Sequence, residues 1–443
     1  MNNLPTEIIV MIMDLLDFKS KMRFIFASKI NKYLLKYWAI NEKIHVYNKV
    51  LVWPYYDNLI NIKINELLKV YPKKLQYLSF SGNFNKPINR DSIPNTVTHL
   101  IFGEKFNQSV DKLPSSIVSI KFGEQFNQSV DKLPLSIENI EFGYRFNQSV
   151  DKLPSLIKSI KFGHYFDKSV DKLPPFIKSI EFGYYFNQSV NNLPSGARSI
   201  RQNLIFSENE IRRIPLLIKS ITFGHCFNQK VDNLPSSIKY IKFGNNFNQT
   251  VDNLPLSIKS INFGCCFNQS VDNLPSLIKN IEFGVDFNQS VNNLPSSIKN
   301  LKFGYCFNQS VDKLPLSIKN IKFSWKFNQS IKKLPSTITH LEINWIHKQP
   351  LEDIPSSVTH LIIFCDWFNG KIPETVTHLT MYSSQYKEEY ISEKVTHLII
   401  RGKKFNNKKI PKTVTHLTLD TLKNIIIPET VTTLIVAGKK INM

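Results

Sequence analysis

The sequence has 443 residues and a net charge of +21, with 42% hydrophobic and 21% charged residues. This length would suggest about three ordinary globular domains, and the composition excludes a disordered chain. No apolar run reaches about 18 residues, which excludes a membrane span. Five cysteines are too few for a secreted disulfide scaffold, and acidic residues interrupt the opening stretch, which argues against a secretory signal. The sequence therefore predicts a protein of the cytoplasm or nucleus.

Residues 1–45 do not repeat and predict a small helical domain. Pro5 and Thr6 stand where a helix would begin, and the apolar residues Ile8, Ile12 and Leu16 follow at helical spacing. Two more short helices are predicted before residue 39. Three such helices cannot bury much apolar surface by themselves, which favours either a separate partner protein or a capping role on the rest of the chain.

Residues 70–438 repeat with a period of about 20, and residues 46–69 are interpreted as a linker or cap. Residues 113–132 read L-P-S-S-I-V-S-I-K-F-G-E-Q-F-N-Q-S-V-D-K. Phe-Gly pairs mark the period, beginning at residues 102, 122, 142, 162, 182, 223, 243, 263, 283 and 303. Self-similarity at this spacing predicts a solenoid rather than three separate domains. The predicted fold class is α+β: a small helical head followed by a β-solenoid related to leucine-rich repeats.

Positions within one repeat have separate predicted roles. Ile120 and Phe122 alternate as in a short strand and should point inward, while Gly123 should end the strand at a turn. Phe126 and Val130 should fill the opposite wall of the coil. The Asn at position 127 recurs in nearly every turn and predicts an internal ladder that satisfies otherwise unpaired backbone groups.

Two further columns allow more than one interpretation. The residue before the predicted strand is lysine in most turns, which fits a phosphate backbone, an acidic protein or simple solubility. Histidine recurs near the end of the chain, where it fits a metal site, a pH sensor or a solvated face; the absence of a companion column of Cys or carboxylate favours the solvated face. The His residues are His340, His360, His378, His397 and His416.

The repeated segment F-G-x-x-F-N-Q-S-V-D-x-L-P resembles the FNIP repeat family, a leucine-rich-repeat relative found in social amoebae and giant viruses of amoebae. The resemblance covers residues 70–438 and implies an extended solenoid that binds other macromolecules. Local departures occur at Asp167, which replaces the Asn, and over residues 196–214, which break the phase; the third residue of the F-N-I-P motif is also usually Gln here.

The opening L-P-x-E-I-x-x-x-I-x-x-x-L resembles an F-box, which in that family docks on a Skp-type adaptor of a cullin ubiquitin ligase. The resemblance implies adaptor contacts at Leu4, Pro5, Ile8, Ile12 and Leu16.

Together, the two resemblances predict a substrate-recognition subunit of such a ligase, with a Skp-type adaptor and an unknown target protein as partners. No phosphate loop, metalloprotease motif or nucleophile elbow is present, so we expect no catalysis and no cofactor. The alternatives are a protein-binding scaffold with a capped repeat array and, less favoured, a basic rod that binds nucleic acid. We expect a monomeric solenoid whose variable positions after each Phe-Gly pair contact the target: Glu124, Gln125, Tyr144, Arg145, His164, Tyr165, Tyr184 and Tyr185.

Overall fold

The computed structural model describes residues 44–45, 56–194, 218–344, 351–364, 371–382, 388–402, 408–422 and 425–441. These residues form short strands joined by turns. The helical segments among them are three 3-10 turns, Tyr56–Asn58, Leu351–Asp353 and Glu388–Tyr390. Within the ranges described, no helix has the length and apolarity needed to cross a membrane.

The predicted α+β class is wrong: the described chain is a β-solenoid with almost no helix. Apolar residues alternate over only a few positions in each repeat, which favours a short strand, and turns rather than helices return the chain to the next strand. The predicted helical head and its five adaptor positions lie outside the described residues. The predicted boundaries at residues 45 and 69 stay predictions, although a strand at Asn61–Ile64 already pairs with the following repeat.

The chain divides into two compact units, of which the first comprises residues 1–186 and 196–218. Each of its strands pairs in parallel with the next, so that Ile120 lies opposite Ile140. The strands are β1 Ile44–His45, β2 Asn61–Ile64, β3 Tyr77–Phe80, β4 His99–Ile101, β5 Ser119–Lys121, β6 Asn139–Glu141, β7 Ser159–Lys161 and β8 Ser179–Glu181.

The second unit comprises residues 187–195 and 219–443. Its main sheet contains β9 Ser220–Thr222, β10 Tyr240–Lys242, β11 Ser260–Asn262, β12 Asn280–Glu282, β13 Asn300–Lys302, β14 Asn320–Lys322, β15 His340–Asn344, β16 His360–Phe364, β17 His378–Tyr382, β18 His397–Arg401, β20 His416–Leu419 and β22 Thr433–Val436, all parallel. A small separate pair joins β19 Lys408–Lys409 to β21 Ile425–Ile426.

The last described strand, β23 Lys439–Ile441, runs antiparallel to β22. The two residues between them, Ala437 and Gly438, have φ angles of 49° and 79°. Positive φ at both central residues is typical of a tight two-residue hairpin turn. The repeat pattern alone does not predict this reversal of direction.

The core of each turn contains the apolar positions that the sequence predicts. Ile120, Phe122, Phe126 and Val130 are all buried, and the same positions are buried in the neighbouring turns. Phe122 and Phe126 stack within one turn, with ring centroids 4.0 Å apart. Removing this apolar area from water is the main stabilising contribution, because the strands themselves are only three residues long.

The strand face is the concave face of each unit. Neighbouring strands in a sheet lie about 4.8 Å apart. The rings of the opposite wall are more widely spaced: Phe126 and Phe146 in the first unit are 6.1 Å apart, and Phe267 and Phe287 in the second are 6.0 Å apart. Because the turns diverge on that wall, the strands lie on the inside of the curve.

Gly123 is required for a reason other than the predicted one. Its φ is not positive, so the turn does not need the left-handed freedom of glycine. A Cβ added at Gly123 would instead lie 1.8 Å from the carbonyl oxygen of Gly103 in the preceding turn. The glycines therefore allow successive backbones to approach closely. The last turn of this type carries Ser324 in the same position, where the strands begin to lengthen.

The predicted asparagine ladder is confirmed. Oδ1 of Asn107 accepts hydrogen bonds from the backbone N–H of Asn127 at 2.9 Å and from Nε2 of Gln128 at 3.1 Å. The same backbone contact recurs through both units. The side chains are half-buried at the surface of the coil rather than internal. Asn187 and Asn228 make this bond although 41 residues separate them; the phase-breaking residues 196–214 lie outside the described residues.

Candidate protein-interaction surfaces

The predicted target-binding residues form two adjacent rows at the turns that follow β5 to β8. Five aromatic side chains stand close together in these rows, and we call them the aromatic cluster: Tyr144, His164, Tyr165, Tyr184 and Tyr185. The four tyrosines are each 38–44% exposed. Glu124, Gln125 and Arg145 extend the same rows, with Glu124 and Arg145 exposed and Gln125 half-buried. The structure thus brings all eight predicted residues to one edge of the first unit.

The rings of the aromatic cluster order one another. His164 lies between Tyr144 and Tyr184, with ring centroids 4.3 Å and 4.6 Å away. Tyr165 and Tyr185 stack at 5.1 Å, and Tyr144 meets Tyr165 edge-on at the same distance. Partial desolvation raises the pKa of Tyr144, and the neighbouring Tyr165 makes a smaller contribution in the same direction. Stacked rings lose little further rotamer freedom when a partner binds, which lowers the entropy cost of association.

Backbone hydrogen bonds hold the turns that carry the cluster. The N–H of Tyr165 donates to the carbonyl of Tyr144, and the N–H of Tyr185 donates to that of His164, both at 3.0 Å. Nδ1 of His164 is buried and has no hydrogen-bond partner in the described part of the chain. The cluster is therefore a preformed, amphipathic surface, of the kind enriched at the centres of protein interfaces.

The strand face of the second unit presents a different chemistry. The residue immediately before each of β9 to β14 is a lysine, and these six define the Lys row: Lys219, Lys239, Lys259, Lys279, Lys299 and Lys319. Beside it, the first residues of β12 to β14 are Asn280, Asn300 and Asn320, whose amides bond to one another from turn to turn. A shallow groove of about 450 Å³ begins at these asparagines and continues across the strands.

The His column forms a continuous stack at the beginning of β15 to β18 and β20. Adjacent imidazole centroids are 4.1 Å apart with nearly parallel planes. Partial burial lowers the pKa of His360, His378 and His397, and the neighbouring imidazoles lower it further. The preceding threonine hydroxyl lies 2.9–3.0 Å from Nδ1 of each ring. These contacts make the column an ordered part of the sheet.

No group of three or more His, Cys, Asp or Glu side chains in the described ranges is arranged to hold a metal ion. The four cysteines within those ranges, Cys226, Cys265, Cys266 and Cys306, are free thiols. The site residues predicted for the adaptor are all among the first 16 residues, for which the structure gives no description.

The repeat family follows from the match between this chain and the FNIP Repeat model. The model matches residues 65–105, 106–145, 126–165, 169–201, 227–266, 267–306, 290–326, 307–344 and 327–366, more than half of the chain. The chain belongs to the FNIP repeat family. The Phe and Asn columns described above lie within these matched segments, and the residues between the columns differ from turn to turn.

The solved structure of CroV588 supports the same fold for this FNIP repeat protein. CroV588, described as a novel circular LRR protein structure, is 30% identical with a TM-score of 0.67; the match covers 86% of this chain and 63% of CroV588. This chain thus spans less than two thirds of the length of that protein. YopM from Yersinia enterocolitica WA-314 matches at 13% identity and a TM-score of 0.43, over 84% of this chain and 91% of YopM. No curated protein sequence matches the chain.

One difference between the two units was not predicted. The lysines before the strands, from Lys158 to Lys319, were interpreted as a single column. In the first unit, however, Lys158 pairs with Glu138 at 2.6 Å, whereas the described residues of the second unit place no carboxylate at ion-pair distance from the Lys row. The signal was available in the sequence, because Val118 and Glu138 interrupt the column only before residue 158.

Proposed function

We propose that this FNIP repeat protein is a non-catalytic recognition subunit whose aromatic cluster binds a target protein. The mutually stacked rings of the aromatic cluster carry the proposal, since its four tyrosines are exposed and His164 orders two of them. Aromatic side chains dominate binding energy at interfaces because they bury large areas and contain few rotatable bonds. Repeat solenoids also commonly offer extended surfaces to protein partners.

The cluster is tested by capturing partners from cell extract with the full chain and comparing two matched triple variants. We expect Tyr144→Ala, Tyr165→Ala, Tyr185→Ala to lose a partner that the wild type retains. The control replaces three tyrosines of the second unit with similar exposure, Tyr240→Ala, Tyr305→Ala and Tyr382→Ala, and should keep it. Equal capture by both variants would contradict a target site at the aromatic cluster.

We further propose that the target is presented to a cullin ubiquitin ligase through a Skp-type adaptor. The F-box-like opening at Leu4, Pro5, Ile8, Ile12 and Leu16 supports this role, as does the frequent combination of such an opening with leucine-rich-type repeats. A chain of this kind would act in the cytoplasm or nucleus. The repeat family and the abundance of Lys, Asn and Ile support an origin in a social amoeba or in a giant virus of amoebae.

The adaptor proposal is tested by co-purifying the full chain with a Skp-type adaptor. We expect the wild type to bind and the Ile8→Asp, Ile12→Asp variant to fail, with binding that resists salt because apolar contacts carry it. Val10→Asp, which lies outside the motif positions, serves as the control and should bind. If the wild type does not bind the adaptor, the ligase role is wrong, and target binding by the aromatic cluster is unaffected.

A further inference from the structure

The Lys row of the second unit stands out because no carboxylate among the described residues lies at ion-pair distance from it. Lysines in another column pair with an aspartate of the preceding turn: Lys132, Lys152, Lys172 and Lys333 lie 3.1–3.3 Å from their carboxylates. On the strand face between residues 219 and 342, the carboxylates are Glu282 and Glu342. They already pair with Lys302 and Lys322. This face therefore carries a large excess of positive charge.

The backbone fixes the spacing of these charges. The N–H of Lys259 donates to the carbonyl of Lys239 at 2.8 Å, and the N–H of Lys279 donates to that of Lys259 at the same distance. The same bond links the rest of the row. Like charges on neighbouring strands repel one another. The backbone hydrogen bonds keep these lysines adjacent despite that repulsion, and a bound anionic partner would reduce it. Six strands at about 4.8 Å spacing give a row about 24 Å long.

The period of the row favours one kind of anionic partner. An α-helix returns the same face every 5.4 Å, close to the strand spacing of about 4.8 Å, so carboxylates at successive turns would each face one lysine. An extended peptide repeats the same face only every 6.6 Å or so, and would lose register after about two lysines. Single-stranded nucleic acid is bound by successive stacked aromatic rings, and Tyr240 is the one ring in the row of strand residues beside Lys219 to Lys319.

We propose that the Lys row binds the acidic face of an α-helix of about four turns from a partner protein, laid along the concave strand face of the second unit. The flexible ammonium stems absorb the difference of about 0.6 Å per turn between the two periods. The amide row of Asn280, Asn300 and Asn320 adjoins the lysines and offers polar contacts to the same helix. This surface is separate in sequence and chemistry from the aromatic cluster, and does not depend on the role proposed for it.

The probe is a fluorescent, helix-stabilised peptide of about 16 residues with glutamates on one face, measured by anisotropy against the full chain. Two comparison peptides match the probe in length and in number of glutamates: one distributes the glutamates around the helix, and the other has proline in its interior and cannot form a helix. We expect the one-faced helix to bind about tenfold more tightly than either, with strong salt dependence. An oligo-dT of matched length tests nucleic acid.

The protein variants separate the Lys row from general charge. Lys259→Gln, Lys279→Gln, Lys299→Gln should weaken binding of the one-faced helix about tenfold or more. Lys132→Gln, Lys152→Gln, Lys172→Gln removes the same charge from the paired column of the first unit and should have little effect. Thermal unfolding verifies that both variants fold. Equal affinity for the three peptides, equal loss in both variants, or tighter binding of oligo-dT would each overturn the proposal.

Discussion

The second unit contains two kinds of turn, which differ in strand length and in the side chain that fills the core beside the strand. From β9 to β14 the strands contain three residues and are followed by a buried ring such as Phe263, with glycine after the ring in every turn except the last, where Ser324 takes its place. From β15 to β18 the strands contain five residues, and aliphatic side chains such as Met381 replace the ring. After β16 the spacing between strands falls to 17–19 residues.

The difference indicates that ring stacking and strand length substitute for one another. Each five-residue strand pairs with its neighbouring strand at two more residues than a three-residue strand does, as where Met381 lies beside Ile400. The three-residue strands lack those two paired residues, although the N–H of Phe263 still donates to the carbonyl of Glu282 at 2.8 Å. They depend more on two stacked phenylalanines and on a glycine that allows close backbone approach. The predictions that follow test this division of roles, from the largest expected effect to the smallest.

Truncating a ring should be more costly than truncating the aliphatic residue that replaces it. We expect Phe263→Ala to lower the free energy of unfolding by about 3–5 kcal/mol and Met381→Ala by about 2 kcal/mol, because Phe263 also loses its stacking partners. Denaturant unfolding measures both. Equal losses would contradict the special role of the rings.

Adding one methyl group to the glycine column should also be costly. In Gly103→Ala the new Cβ would lie 1.7 Å from the carbonyl oxygen of Ser81, and we expect a loss of about 3 kcal/mol in unfolding free energy. Gly82→Ala is the matched control. The atom nearest to its new Cβ would be Cβ of Glu104 at 3.9 Å, an ordinary contact, and the φ of Gly82 is not positive. If Gly103→Ala is as stable as Gly82→Ala, close approach does not explain the column.

Breaking the asparagine ladder should have an intermediate effect. Asn268→Ala removes the acceptor for the N–H of Asn288 and for Nε2 of Gln289, and we expect a loss of about 1–3 kcal/mol. Asn268→Asp keeps an acceptor oxygen and should lose less, since the chain itself carries Asp167 at this position. Hydrogen exchange at the Asn288 amide reports the bond directly, and unchanged protection in Asn268→Ala would exclude it.

The His column should make the longer-stranded turns weakly sensitive to acid. The pKa values of His360, His378 and His397 are lowered in the folded protein, so the unfolded chain binds protons more readily. Stability is therefore fully present above the ordinary histidine pKa of about 6.5 and declines as the pH falls below it. We expect His360→Gln, His378→Gln to reduce this decline. NMR titration of the imidazoles checks the direction, and a raised pKa would contradict it.

The repeat framework could be predicted because each of its columns has a local cause. The spacing of Ile120, Phe122 and Phe126 is enough to assign them to the core, and the regular Asn127 is enough to assign a ladder. The reason for Gly123 could not be predicted from one repeat, because it depends on how closely its backbone approaches the carbonyl oxygen of Gly103 in the preceding turn. The fold class was wrong because it gave a helical head, suggested by only a few residues, equal weight with hundreds that repeat.

The two interaction surfaces show the same limit. The sequence identified the variable positions after Phe-Gly, but the stacking of His164 between Tyr144 and Tyr184 depends on the register of three turns. The Lys row was visible as a column, and Glu138 before it was a signal in the sequence, but the pairing of Lys158 with Glu138 is a distance that only the structure gives. The reversal at Ala437 and Gly438 has only a weak sequence signal, since alanine is not a usual residue at positive φ.

The bond between Asn187 and Asn228 has a consequence for how such a gene can change. Each asparagine supplies an acceptor to the following turn and receives nothing specific to its own place in the series. Recombination between two repeat units of the gene therefore joins turns that still carry a matching side-chain acceptor and backbone donor, whichever two units are joined. Segments of one period can be gained or lost by unequal crossing-over, and even an irregular insertion is tolerated when the next asparagine resumes the register. Copy number is then free to vary among relatives while the binding residues between the columns diverge.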